Sequence, residues 1–596
     1  MKKFLLLPVF LLIIKTVSSQ SFNSQLATML QDTLNTYVSM ISNIKGMSAS
    51  VFIPGQGIWQ GVAGESYSGH PITSGMAFGI ASNSKLFISV AMLKLSEHGM
   101  ISLDDSLHKW LPTYNNINPN ITIRQLLNHT SGISDPFFQP PWMDTIMANP
   151  TRHFPPNEVL GWVGLPLFAP GTGFSYSNTN YILAGMIAQN ASGYPISKII
   201  RDSILNPLNL DSTFYDVEET EVGIIAHRWW NNVDYHDTSR VGLNSATGAA
   251  GSVFSNASEM VQWYHAVFNG NILNQASLKE LTTFVSTSNP SYQYGLGLSR
   301  ETTQGRTYWG HGGDTWGYKS KLIYDTCQGI AVCGLANSFP AGIPSVVFLL
   351  YRCVKNHIPG CSEAIDGPTE VCQGQQGVNF TVPPIPKATS YLWIFPNGAS
   401  GNSNTNSVTV DFGVNAQSGN IIVYGINNYG NGGSAMLPVL VHPIPATPFI
   451  TQNENVISSN ATAGNQWYNS AGKITGETNQ NYTVTATDDY FTIVTLSACS
   501  SDTSNVLHVI PTHVTDEENP ANLKIYPVPF ANELIIDMSS THQQLNITIQ
   551  NMLGEVIYKE IITEKTVFQT KHFSPGIYII KVENGETIDI RKIIKK

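Results

Sequence analysis

Ser82 stands three residues before Lys85 in the stretch FGIASNSKLF, residues 78–87. A serine hydroxyl is a poor nucleophile until a neighbouring base takes its proton. Lysine can be that base only when neutral. Its ordinary pKa of ~10.4 leaves it almost wholly protonated at pH 7, and lowering it by two or three units takes roughly 3 to 4 kcal/mol of differential environment. Burial is one source of that energy. The run after Lys85, LFISVAMLKLSEHG, places Leu86, Val90 and Leu93 at helical spacing, with Gly99 to end the helix. Nearly every face of this helix is apolar, so it is expected to be buried, and a lysine in its first turn must have a partner or a task. Positions i and i+3 share a helical face, which lets Lys85 reach back to Ser82. The spacing alone is common, since Ser42/Lys45, Ser106/Lys109 and Ser470/Lys473 repeat it. Only the Ser82 copy combines small flanking residues with an apolar helix directly behind it.

Two later segments carry matching chemistry. APGTGFSYSNTNYILAGMIAQ presents Tyr176 and Asn178 after a Gly-rich turn and before another apolar helix. YWGHGGDTWGYKSKLIYD presents His311, Gly312 and Gly313, where small residues let a strand edge approach a ligand closely. Tyr-x-Asn also recurs elsewhere, at Tyr114/Asn116 and Tyr429/Asn431, so order and setting decide. Ser-x-x-Lys, Tyr-x-Asn and His-Gly-Gly follow one another inside one expected domain.

With these three motifs, and with ITIRQLLNHTSGISD, ILNPLNLDSTFY and GAAGSVFSNASEM between them, the chain resembles the serine β-lactamase and penicillin-binding superfamily. The likeness runs over roughly residues 25 to 355 and is to the class C-like branch of β-lactamases, D-amino-acid peptidases and esterases. It implies a nucleophile at Ser82, proton transfer shared by Lys85 and Tyr176, a substrate-orienting Asn178, and a sheet-edge site at His311, Gly312 and Gly313. The N–H groups of Ser82 and Asp314 would form the oxyanion hole. His129, in LLNHTSG, falls in a segment that is architectural in this family. The departure is His311, where many members have Lys. A neutral imidazole anchors a substrate carboxylate less well than a fixed ammonium, and its charge is expected to change near pH 6.5. That favours an ester or a D-amino-acid amide or peptide as substrate over a β-lactam or a D,D-carboxypeptidase substrate. No Gly-x-Ser-x-Gly elbow points to an α/β-hydrolase instead.

These residues need a scaffold, and 596 residues are too many for one core. Residues 22–357 mix strand and helix patterns, with strands at both ends. GMSASVFIPGQGIWQGVAG reads as a hairpin, YGLGLSRE to GIAVCGLANS as further strands, and PSVVFLLYRCVKNHI as a closing amphipathic helix. The expected fold is α/β, one antiparallel sheet flanked by helices as in β-lactamases and transpeptidases, followed by small all-β Ig-like sandwiches. Short alternating strands with Trp393 as an anchor mark one sandwich at 364–442, PKD-like or Ig-like, and a second is expected at 446–511. Both read as spacers or binding modules. A rival account makes them the functional part of a surface adhesion or glycan-binding protein with an idle hydrolase domain.

The last unit, 524–596, contains YPVPF, NMLGEVIY, SPGIYIIKV and a basic end. It resembles the C-terminal sorting domain of proteins exported by the type IX secretion system of Bacteroidota, which more often has Asn where Val528 stands. The N-terminus, MKKFLLLPVFLLIIKTVSSQS, fits a secretory signal peptide over residues 1–19. Together they imply a secreted or surface protein whose partners are the secretion machinery and a small-molecule, peptide or ester substrate, cell-wall fragments included. Charged residues make up 12% of the chain, about half the usual share, which suits an extracellular setting. A net charge of -10 without a basic run in the first 500 residues argues against nucleic acid, and no stretch is long and apolar enough for a transmembrane segment. The six cysteines include no CxxC pair, so no metal is implied, nor any organic cofactor. Cys327 and Cys333 flank a hairpin turn and Cys353 lies near Cys361, but the sequence leaves disulfide connectivity open.

Overall fold

The computed structural model describes residues 21–138, 141–303, 305–511, 523–537, 544–584 and 588–596. The expected signal peptide and nearly all of the acidic linker before residue 523 lie outside them. The chain forms two compact units, one reaching to Ile444 and one starting at Pro445.

The first unit is built on a nine-stranded sheet of β1 (Gly46–Ile53), β2 (Gly57–Tyr67), β3 (His70–Pro71), β4 (Val285–Ser286), β5 (Tyr292–Tyr294), β6 (Ser299–Thr303), β7 (Arg306–Thr315), β8 (Tyr318–Asp325) and β9 (Ile330–Ala336). Their order is β3-β2-β1-β9-β8-β7-β6-β5-β4, with every neighbour antiparallel. Strands from the two ends of the domain therefore meet in mid-sheet, with Val51 opposite Val332. β1 and β9 lie buried on both faces, β9 apolar throughout and β1 alternating Met47, Ala49 and Val51 with the small hydroxyls Ser48 and Ser50. One face is covered by α1 (Ser24–Met40), whose Leu26, Leu30 and Leu34 form a single stripe, and by the last helix of the domain, Ile343–His357. The other face carries the helical layer that holds α2 (Ser84–Glu97) and α3 (Asn178–Ser192). Eleven of the fourteen α2 residues are buried. Gly99, with φ +70°, follows α2 in the left-handed conformation that stops a helix.

The first β-sandwich pairs a four-stranded with a three-stranded sheet around Phe380, Trp393, Phe412 and Val423. It is fastened to the hydrolase-like domain. A disulfide joins Cys327 to Cys361, Gln56 donates to the Tyr429 carbonyl at 2.8 Å, and Asn427 donates to the His357 carbonyl at 2.7 Å. Cys333 and Cys353 are free thiols. A loose spacer would need none of these contacts, so this module is part of the enzyme-like body.

In the second unit, residues 446–511 form two small sheets around Trp467 and Tyr490. The described part of 523–596 forms a three-stranded and a four-stranded sheet enclosing Phe530, Ile547, Phe568 and Ile580. Among the described residues, no helix is long and apolar enough to cross a membrane.

Candidate active site

Ser82 lies in a single 3-10 turn, Ala81–Asn83, between a short strand and α2. Ala81 has φ +49°, a left-handed conformation that costs a residue with a Cβ, so the turn must be held from outside. Two bonds to β8 hold it. The Ser320 hydroxyl donates to the Ile80 carbonyl at 2.7 Å and accepts from the Asn83 amide at 2.8 Å. Gly313 on β7 lets the strand edge close on the same turn, because a Cβ there would fall 2.2 Å from the Ile80 carbonyl oxygen. At Gly312 a Cβ would meet nothing closer than 3.9 Å, so that glycine leaves the cavity open without being required by the turn. The ladder between β6 and β7 ends at Ser299 and Gly310, and His311 to Thr315 line the cavity.

Lys85 is wholly buried, and its Nζ lies 3.0 Å from Ser82 Oγ, 2.8 Å from Asn178 Oδ1 and 2.8 Å from the Ala250 carbonyl. Burial lowers its pKa from 10.5 to about 7, against the pull of the Asp135 carboxylate, which favours the charged form. A neutral amine keeps two hydrogens and one lone pair. With the hydrogens spent on Asn178 and Ala250, both of which only accept there, the lone pair falls to Ser82.

Asp135 went unremarked in the sequence, yet it fixes Asn178. Its Oδ2 accepts from the Asn178 backbone N–H at 2.9 Å and from the side-chain amide at 2.8 Å, which turns Asn178 Oδ1 toward the lysine. Burial raises the Asp135 pKa, and the two Asn178 donors and Lys85 oppose that shift. The only clue was an acidic residue closing the run HTSGISD, 43 residues before its partner.

The Tyr176 ring centroid lies 4.9 Å from Lys85 Nζ and 4.3 Å from the His129 ring. Its hydroxyl is buried and faces the Ser82 hydroxyl without a well-formed hydrogen bond. Burial pushes the phenol well above its ordinary pKa, partly offset by the Ser82 hydroxyl. His129 sits behind the site, where its Nδ1 accepts from the Ser177 N–H at 3.2 Å and the Asn180 amide at 3.0 Å.

His311 is held on both sides. Its Nδ1 donates to the Gly312 carbonyl at 2.5 Å, which leaves Nε2 to accept from the Tyr294 hydroxyl at 2.8 Å. The expectation of a charge change near pH 6.5 is therefore corrected. Burial, then repulsion from Lys85, lowers the His311 pKa to about 3. Such a group costs stability in acid. Below pH 6.5 the unfolded imidazole takes a proton that the native one refuses, so stability falls as pH drops from 6.5 toward 3. The loss from His311 alone is expected to reach about 2 kcal/mol at pH 5. Urea unfolding at pH 7 and pH 5 measures it, and His311→Gln should remove that share of the acid sensitivity.

The residues bound a cavity of about 680 Å³. Ser82, Tyr176, Asn178 and the His311–Asp314 edge line its floor, and Phe137, Met143, Met147, Trp230, Leu243 and Trp316 give it an apolar wall. The structure thus brings all eight sequence-predicted residues to one place, with Asp314 at the rim in an ion pair with Lys319 at 2.8 Å.

Comparison with known proteins agrees with this geometry. Residues 34–345 match the sequence model of the beta-lactamase family, residues 359–439 that of a PKD-like domain, and residues 524–596 that of a secretion system C-terminal sorting domain. Penicillin-binding protein 4* of Bacillus subtilis is 28% identical over 274 residues, covering 42% of this chain and 59% of that protein. Protein flp of Staphylococcus aureus is 27% identical over 300 residues, covering 47% of this chain and 56% of that protein. The chain thus spans less than two thirds of either relative. Among solved structures, the D-amino acid amidase of Ochrobactrum anthropi SV3 complexed with L-phenylalanine amide is 26% identical with a TM-score of 0.51, covering 56% of this chain and 99% of that one. With more than half its length matched, and with serine, lysine, tyrosine and asparagine gathered over one cavity, the chain belongs to the beta-lactamase family.

Proposed function

We propose that the protein is a secreted serine hydrolase that cleaves an ester or a D-amino-acid amide or peptide through a covalent acyl-enzyme at Ser82. The observation that carries this reading is the buried Lys85 amine, with a pKa near 7, held 3.0 Å from the Ser82 hydroxyl. In the first step Lys85 Nζ takes the Ser82 proton as Oγ bonds to the substrate carbonyl carbon. The oxyanion is received by the N–H groups of Ser82 and Asp314, donors of a kind worth ~10² to 10³ in rate each. Collapse breaks the C–O or C–N bond, and the leaving group departs with the proton that Lys85 had taken. In this reading Tyr176 keeps its own proton, which its raised pKa supports, and its hydroxyl, beside Ser82, passes one between Lys85 and the leaving group. Water, deprotonated by the again neutral Lys85, then attacks the acyl carbon, releases the acid and restores the Ser82 hydroxyl.

The amidase likeness supports a D-amino-acid amide as acyl donor, and the apolar cavity wall suits a large apolar side chain on it. The match at 524–596 supports export and recognition by a secretion machinery. A panel of p-nitrophenyl esters, D- and L-phenylalanine amides and nitrocefin tests the reading. Turnover of esters or D-amides above nitrocefin is expected. Nitrocefin as the best substrate would make the protein a β-lactamase, and no turnover of any would return function to the β-sandwiches.

A further inference from the structure

Carboxylate-bearing acyl donors need a free cation beside the nucleophile. Two cations besides Lys85 face the cavity among the described residues, Lys319 and Lys321. Each is already paired, Lys319 with Asp314 at 2.8 Å and Lys321 with Glu301 at 2.7 Å. Lys321 stands opposite Gly312 in the β7–β8 ladder and reaches across the glycine-bearing strand to Glu301 on β6. His311 lies between them in sequence, with both ring nitrogens already engaged by neutral partners. Asp144 adds a third carboxylate to the cavity wall. Three acids against two lysines leave no positive excess for an incoming anion.

We infer that Glu301 is a specificity-determining residue, which neutralises Lys321 and so restricts the site to acyl donors whose leaving group carries no carboxylate. This rests on the hydrolase reading above and deepens it. Lys321 is the cation best placed to anchor a leaving-group carboxylate, since it is buried, adjoins Gly312 at the open part of the cavity and lies near enough to His311 to act on its charge. Lys321 is the buried member of the pair and Glu301 the partly exposed one, so removing the Glu301 charge leaves a buried cation that seeks a replacement. The Ser299 hydroxyl lies 3.0 Å from Glu301 Oε1, although its one hydrogen is shared with the Gly310 carbonyl at 2.6 Å, so the salt bridge to Lys321 is the main tie on Glu301. Esters and primary amides fit such a site, whereas a peptide cut before a free C-terminal residue, or a penicillin, meets no unpaired cation.

The test uses the full chain and two substrates that differ in one group, the benzoylglycine thioester of thioglycolic acid and its carboxamide analogue, with thiol release as the readout. The wild type is expected to prefer the carboxamide by about tenfold or more in kcat/KM. Glu301→Gln keeps a hydrogen-bond acceptor for Lys321 but removes the charge, and should move that ratio toward the carboxylate by about tenfold or more. The double variant E301Q/K321M should move it back. Because the readout is a ratio within each variant, partial loss of folded protein does not alter it. A ratio unchanged in E301Q, or a wild type that prefers the carboxylate, overturns the inference. Cleavage of neither thioester, with Ser82 still labelled by an acylating probe, overturns it alone; cleavage of neither without labelling overturns the hydrolase reading with it.

Discussion

Lys85→Met lowers kcat/KM by about 10² to 10⁴, the usual worth of a positioned general base. Methionine fills much of the same buried volume but offers neither a proton acceptor for Ser82 nor donors for Asn178 and Ala250. The pH dependence identifies the lost group. Because the neutral amine is the active form and its pKa is about 7, wild-type kcat/KM should fall tenfold for each pH step below 7 and level off above it. His311, with its pKa near 3, adds no second limb in that range, and Tyr176, raised well above its ordinary value, adds none on the alkaline side below about pH 10. The residual activity of Lys85→Met should lack the limb centred near 7. Steady-state rates on a p-nitrophenyl ester from pH 5 to 9 decide this, and a variant that keeps the wild-type midpoint would assign the base elsewhere.

Ser82→Ala has the larger effect. Removing the nucleophile in a comparable serine hydrolase costs on the order of 10⁶ in kcat. The fold should be indifferent, since the 3-10 turn is held through Ile80, Asn83 and Ser320, and the hydroxyl removed touches Lys85 and Tyr176 rather than the groups that hold the turn. Turnover measured beside the thermal unfolding midpoint separates the two effects. Activity gone with the midpoint unchanged or slightly raised is the expected result.

Local patterns made much of this site legible. Ser82, Lys85, Tyr176 and His311 stood out because each is an odd residue in a patterned setting, a lysine in an apolar helix or a glycine pair in a strand. The central sheet was legible because strand patterns stand at both ends of the domain with helices between them, so strands from the two termini share one sheet. What stayed hidden depends on distant partners. Asp135 reads as an ordinary loop acid until Asn178 folds onto it. The positive φ of Ala81 is enforced by packing against β8, not by a glycine the eye could find. Glu301 and Lys321 are 20 residues apart on different strands, and their pairing follows from sheet register, which the sequence did not specify. The sandwich modules were visible as alternation, but the Cys327–Cys361 bridge that fastens the first of them joins residues 34 apart, across a boundary where spacing carried no pairing information.

Intact-mass analysis after exposure to a fluorophosphonate, followed by peptide mapping, tests the central claim most directly. A single adduct on the peptide that contains Ser82, formed faster as pH rises through 7 and absent in Ser82→Ala, is the predicted result. An adduct that persists at full stoichiometry in Ser82→Ala, or that maps to any other serine, would contradict it.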